Sequence, residues 1–360
     1  MMEKITKVWE RFTSSKLCWP LAALFVVLLF NLFFTKNFFT IEIKDGHFYG
    51  VIIDILNRAT PLMMIAIGMT LVIATKGIDI SVGSVIAISG AVAASLIGGK
   101  LEYVDGVQTF VTLVPMPIAI LIALLVSTIL GMWNGLLISK VGIQPIVATL
   151  ILLVAGRGIA QLITQGQIIT IYYKPFQFIG TGFLLGFPFA LFIVALVFGI
   201  TLYAVRKTAI GMFIESIGIN AIASRFAGIN VNQYIFSVYA FSGFCAGIAG
   251  LIICSNVSSA DGNNAGLFTE LDAILAVSIG GNSLDGGRFS ILGSLIGALV
   301  IQSITTTIYA IGVPPEITLV VKSVVVIIIC LLQSATFRKI VFARRAEKGG
   351  IIDEKNAAKL

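Results

Sequence analysis

Charge is scarce in this chain. Only 11% of its 360 residues are Asp, Glu, Lys or Arg, while 58% are hydrophobic; ordinary soluble domains carry about 25% and about 45–50%. A soluble globule cannot hide that much apolar surface, so lipid must solvate most of it. The same numbers exclude a disordered chain, a nucleic-acid-binding domain and a secreted disulfide scaffold. Cysteine is equally sparse. Cys18, Cys245, Cys254 and Cys330 sit in apolar runs without a CxxC pair, and His47 is the sole histidine, so the four read as small apolar residues rather than redox or metal ligands. No G-x-x-x-x-G-K-[ST] phosphate loop, HExxH or G-x-S-x-G elbow occurs, which gives an enzyme no support and excludes ATP hydrolysis by the phosphate-loop route. Neither a cofactor nor a metal is expected.

What is present is long apolar runs. A spanning helix needs about 20 largely apolar residues, about 17 at the short end, and ten segments are candidates: 17–34, 51–75, 82–98, 111–138, 143–165, 187–205, 234–255, 270–282, 290–311 and 315–334. The first follows a basic start like that of a signal peptide, but it is long enough to span and ends in Thr-Lys-Asn rather than a cleavage site, so it is read as a retained helix. The eighth is too short to span alone and counts only if the preceding loop enters the membrane or the helix continues through Gly280 and Gly281. Of 24 Lys and Arg, 14 fall in residues 1–16, 206–233 and 335–360. Ten crossings from a cytoplasmic N-terminus place all three stretches, with Lys140 and Arg288, on the cytoplasmic side. The loops at 35–48, 99–110 and 256–269 then fall outside. The expectation is an all-α integral membrane protein of about ten transmembrane helices, multi-pass in a bacterial cytoplasmic membrane with both termini inside. Eight crossings would also return the C-terminus inside.

Glycines recur at helix-packing spacing, Gly131 with Gly135, Gly243 with Gly247 and Gly293 with Gly297. They predict close helix approach, within this chain or against a second one. Polar residues within the runs are few, and each costs roughly 3 kcal/mol on an insertion scale. Asp79 and Ser81 lie in the Gly-broken stretch KGIDISVGS. Asp79 is either an N-cap for the helix starting near Ser81 or a pathway or pivot residue. Arg157 lies midway through the fifth segment with Gln161 one turn on; it either pairs with a helix-terminal carbonyl or faces a pathway. Asn134, Gln144 and Thr149 lie near neighbouring helix ends, Glu270 and Asp272 open the eighth segment, and Lys322 snorkels from the tenth. This small set argues against an ion relay and suits passage of a neutral polar solute.

Two loops stand out. SADGNNAGLFTELD at 259–272 places Asp261, Asn263, Gly266 and Asp272 at calcium-loop offsets, but Ala265 takes a ligand position and Asp rather than Glu closes the loop. An Asx-rich turn capping the next helix explains the same letters, and Asn263 and Asn264 could also touch a solute there. RKTAIGMFIESIGINAIASRFAGINV, from Arg206, has apolar residues at helical spacing, with Gly211, Gly218 and Gly228 as punctuation. One or two short amphipathic helices fit it, either as a membrane-surface anchor or as a docking element for a cytoplasmic motor. Glu215 is its only carboxylate.

KGIDISVGS at 76–84, GMWNGLLISKVGIQPIVATLILLVAGRGIAQLIT at 131–164, RKTAIGMFIESIGIN at 206–220 and ELDAILAVSIGGNSLDGGRFSILGSLIGALVIQ at 270–302 resemble the permease subunits of bacterial ABC importers for monosaccharides, the ribose/xylose/galactose group. The resemblance runs from about residue 48 to 334. DGHFYGVIIDILNRATP at 45–61, GMFIESIGIN, SADGNNAGLFTELDAILAV and VPPE at 313–316 are most similar to the galactofuranose branch. It implies a fold like that of the vitamin B12 permease (type II importer), a sugar pathway between two permease chains, here a heterodimer, with ABC ATPases beneath and a periplasmic sugar-binding protein above. The subunit would then comprise a basic cytoplasmic N-terminus at 1–16, a permease domain at 17–334 with coupling loop 206–233, and a basic tail at 335–360. Gly211, Glu215, Gly218, Asn220 and Gly228 are the coupling candidates. Lys76 stands where the family usually has Gly, and Asp285 where Ser or Met is usual. The alternatives are another small polar cargo, such as ribose, a nucleoside or a signalling furanose, and a self-sufficient secondary transporter or channel.

Overall fold

The computed structural model describes residues 17–35, 38–44, 46–98, 100–104, 107–111 and 113–333. The basic stretches 1–16 and 335–360, Asp105 and the side chain of Cys330 lie outside the described residues. Each of the ten apolar segments is helical. They form α1 Cys18–Phe34, α2 Val51–Ala74, α3 Val82–Ile97, α4 Met116–Leu136, α5 Pro145–Thr164, α7 Phe189–Lys207, α10 Val231–Val257, α11 Thr269–Ile279, α12 Ile291–Ala310 and α13 Pro315–Gln333. Six helices among the described residues are long and apolar enough to cross a membrane: α2, α4 with the π-turn Leu137–Val141, α5, α7, α10 and α12. Between them lie three short helices, α6 Lys174–Thr181, α8 Ile210–Ile219 and α9 Ala221–Phe226, and four two-stranded antiparallel ladders. One ladder pairs Ile169–Thr170 with Ser259–Ala260, joining the chain after α5 to the chain after α10.

Local chemistry sets the helix ends. Prolines fall at the first or second position of α4, α5 and α6, where a missing N–H costs nothing. Asn220 Oδ1 accepts from the amides of Ile222 and Ala223 at the start of α9, and Asn230 accepts from Gln233 at the start of α10.

Through Ser303 the chain forms one compact unit; a second begins at Ile304 and contains α13. In the first unit the most enclosed elements are α3 and α2. Here the glycine spacing acts within this chain. A Cβ on Gly243 would meet Ser127 O at 2.5 Å and Gly131 Cα at 2.8 Å, and one on Gly131 would run into the Tyr239 carbonyl. Gly135 likewise faces Phe236, Gly247 faces Ser127, and Gly293 and Gly297 face Gly280 and Ala276. Backbone contact of this kind supplies the dispersion that holds helices together in lipid. The outward faces of α4, α5 and α7 are apolar, with Leu121, Leu125, Val147, Val154, Leu196 and Ile200 all exposed.

The shortest of the ten, α11, is 11 residues, about 16 Å, or half a bilayer core of about 30 Å. The loop before it packs back along α5 and α3. Gly262 lies against Ala160 and Thr164 of α5, the Asn263 and Ala265 carbonyls reach Arg157, and Gly266 packs on Gly83 and Ile86 in the first turns of α3. Ser84 in turn packs on Gly156 of α5. From Thr164 back to Gly156 is eight residues, about 12 Å. The loop therefore re-enters alongside α5, and α11 starts partway along the bundle, after Phe268 in the left-handed region at φ +62°. Its Asx turn does not cap α11, contrary to the capping expectation. Asp261 Oδ1 accepts from the amides of Asn263 and Asn264 at 2.8 and 3.2 Å, which tightens the loop on itself.

Candidate functional site

Two polar clusters are built around the break between α2 and α3 and around the re-entrant loop. In the first, Asp79 is buried and all its hydrogen bonds are internal. Oδ1 accepts from Ser81 N at 3.1 Å and Ser81 Oγ at 2.6 Å, and Oδ2 accepts from Ser242 Oγ at 2.8 Å, midway along α10. Asn134 Nδ2 of α4 donates to Ser81 Oγ at 2.8 Å, and Thr149 Oγ1 of α5 closes on Ile78 O at 3.4 Å. The N-cap residue of α3 is Ser81, not Asp79. Asp79 is the knot that ties the broken stretch to α10 directly and to α4 through Ser81.

The second cluster is more open. Arg157 Nη1 donates to Ala265 O at 2.5 Å and Asn263 O at 3.3 Å, and Gln161 Nε2 donates to Asn263 Oδ1 at 2.5 Å. Gln161, Asn263 and Asn264 are exposed and Arg157 is half-buried. Arg157 Nη2 and Glu270 Oε2 are buried with no hydrogen-bond partner among the described residues. Asp261 Oδ2 accepts from Asn264 Nδ2 at 2.7 Å. Its slight burial opposes ionisation, but the bonds from the Asn264 side chain and the two loop amides, with Arg157 nearby, hold its carboxyl below the usual range. Those donors turn the carboxylate onto its own loop, and no group of three or more His, Cys, Asp or Glu is placed to hold a metal among the described residues. Phe268, which composition and spacing did not single out, is 44% exposed at the end of the same loop. A non-glycine residue at positive φ is the signal that marks it, and only coordinates carry it.

The first turn of α3 joins the clusters, since two residues beyond Ser81 a Cβ on Gly83 would strike Glu270 and Gly266 O. Asp272 is half-buried on α11. Gln144 stands apart. It is exposed at the start of α5, 17 residues or about 25 Å of helix from Gln161.

The 206–233 loop folds as the helix pair α8–α9, turning at Asn220. Gly211 and Gly218 are buried on its inner side, Gly211 against Val205 O and Gly218 against Ala74 O at the end of α2. Glu215 is half-buried, and Gly228 takes φ +84° in the turn after α9. The outward side is apolar, with Met212, Ile219, Ile222 and Phe226 exposed, the last by 91%. Lys76 sits between this pair and Asp79 at φ +64°. That conformation costs a side-chain-bearing residue about 1–2 kcal/mol, which explains why glycine suits the position.

Lipid-facing helices, a re-entrant half-helix and a partly buried helix pair with an apolar outer side define a polytopic membrane-transport subunit. Residues 51–330 match the family described as "Branched-chain amino acid transport system / permease component", and the chain belongs to it. It is 47% identical over 324 residues to the galactofuranose transporter permease protein of Escherichia coli (strain K12), covering 89% of this chain and 91% of that one. It is 41% identical over 332 residues to the fructose import permease protein of Bifidobacterium longum (strain NCC 2705), covering 90% and 89%. With the ribose import permease protein of Escherichia coli (strain K12) it shares 34% over 333 residues, 91% and 95% of the two. No solved structure matches the chain.

Proposed function

We propose that this chain is the membrane-embedded permease subunit of an ATP-driven monosaccharide importer. The observation that carries this is the extent of the similarity: three permeases named for sugars align over about nine-tenths of both chains. The subunit is a multi-pass protein of the inner membrane and is not an enzyme. ATP hydrolysis lies in a separate ATPase, and a substrate-binding protein delivers the sugar.

Several finer assignments extend this reading. The ten helical segments each cross the membrane in a fold like that of the vitamin B12 permease, with both termini cytoplasmic; the re-entry before α11 supports counting the eighth. A second, different permease chain completes the pathway. The sugar is galactofuranose or a related pentose or hexose. Its hydroxyls meet the amides of Gln161, Asn263 and Asn264, with Arg157 and Glu270 behind them and Phe268 as the apolar contact, because neutral polyols are recognised by exposed amides beside an aromatic ring. Asp79, Ser81, Asn134 and Thr149 form a pivot rather than a contact surface. The α8–α9 pair docks the ATPase through Met212, Ile219, Ile222 and Phe226, while Gly211 and Gly218 seat it on the bundle.

Uptake of labelled galactofuranose by proteoliposomes holding the purified complex, with fructose and ribose as competitors, tests the reading. Uptake is expected to require ATP and to stop when the ATPase is disabled. Uptake that persists without ATP would establish a self-sufficient transporter instead.

A further inference from the structure

We infer that Lys76 is a positioning residue that ties the ATPase-docking helix to the Asp79 pivot, so that displacement of α8 is delivered to the break between α2 and α3. The inference rests on the docking assignment above. Three observations carry it. Lys76 Nζ lies 3.2 Å from Ile219 O, the final carbonyl of α8. A last-turn carbonyl has no partner within its own helix, and a cation there is favoured by the helix dipole. The stem of the side chain is held as well as the tip, since Gly286 packs against Lys76 Cγ and N. Finally, the Lys76 backbone is fixed to the last turn of α2, with Lys76 N donating to Ile73 O at 2.9 Å and Gly77 N to Val72 O at 3.0 Å.

The same point is clamped from a second side. Gly287 N donates to Ala74 O at 2.9 Å, and Gly218 of α8 packs on that carbonyl without room for a Cβ. Beyond Lys76, Gly77 packs on Tyr239 of α10, and Asp79 begins the buried network to Ser242, Ser81 and Asn134. The path from the docking helix to the centre of α10 is thus continuous through packed backbone, the Lys76 and Tyr239 side chains and hydrogen bonds. Holding a lysine in the left-handed region costs stability that glycine would not, so the contact with Ile219 must contribute something else. Coupling between α8 and the pivot is that contribution.

The test compares Lys76→Gly, Lys76→Met and Lys76→Arg in the full complex with its ATPase and binding protein. The readouts are sugar moved per ATP hydrolysed and the thermal midpoint of the permease. Lys76→Gly removes the link while relieving the backbone. Its midpoint is expected to hold or rise while transport per ATP falls roughly five-fold or more, the lower range of a coupling between sites. Lys76→Met is expected to lose the same ratio, and Lys76→Arg to keep it. A wild-type ratio in both Lys76→Gly and Lys76→Met overturns the proposal, as does a fall in midpoint and uptake together with the ratio unchanged, which would make Lys76 only a helix cap. Maleimide labelling of Phe226→Cys, corrected for the four native cysteines, separates the two assignments. Protection by the ATPase with a normal Lys76→Gly ratio sinks the link alone, and labelling equal with and without ATPase sinks the docking assignment and the link together.

Discussion

The Asp79 cluster and the re-entrant loop contain the same kinds of group, a carboxylate, amides and hydroxyls, yet they differ in how far solvent reaches them. At Asp79 both carboxylate oxygens have protein partners and are sealed from solvent. At the loop, Gln161, Asn263 and Asn264 face outward, while Arg157 Nη2 and Glu270 Oε2 end without one among the described residues. A buried network fixes geometry, even with Asn134 Oδ1 left without a partner among the described residues, whereas donors and acceptors at an accessible surface can bind a solute. Under the proposed function, the contrast fits structure in the first region and recognition in the second.

The sharpest way to break this contrast is Asp79→Ala. Three hydrogen bonds at about 0.6 kcal/mol each in a membrane bundle give about 2 kcal/mol, and stranding the Ser81 and Ser242 hydroxyls adds to that. A loss of about 2–3 kcal/mol is expected, read as a lower thermal midpoint and lower membrane abundance. Normal abundance with abolished uptake would move Asp79 into the pathway. Next is Gly83→Ala at the junction. The Glu270 side chain can swing away, but Gly266 O, 2.7 Å from the new Cβ, is backbone, so about 1–2 kcal/mol of overpacking is expected. Uptake and stability should fall together there, because both regions move.

Smaller effects belong to the loop itself. Phe268→Gly should relieve positive-φ strain and raise stability by about 1 kcal/mol while uptake declines; unchanged uptake would confine Phe268 to the turn. Gln161→Leu should leave the midpoint within about 0.5 kcal/mol, as for an exposed site, yet raise the sugar concentration needed for half-maximal uptake. If its midpoint drops as Asp79→Ala does, the two regions do not differ in kind.

Much of the fold was legible because apolar runs in lipid must be helical to satisfy their backbone, and all ten runs are helices. The helix pair at 210–226 was legible for the same kind of reason, since Gly211, Ile214, Ile217 and Gly218 at helical spacing make a buried face. The glycine pairs announced close approach but not the partner. Gln144 and Gln161 lie on one segment, and the helix rise sets them about 25 Å apart.

The sequence by itself determined the apolar segments, the polar residues they cannot hide and where the basic stretches fall, because these follow from local composition and the cost of polar groups in lipid. Tertiary structure decided the rest. Arg157 meets Ala265 across 108 residues, Ser242 meets Asp79 across 163, and Lys76 meets Ile219 across 143. Such contacts depend on which helices lie side by side, and neither the re-entry before α11 nor the left-handed Lys76 leaves a periodic trace in the chain. Whether a polar residue is buried in a network or faces solvent depends on its neighbours, and those neighbours are chosen by packing.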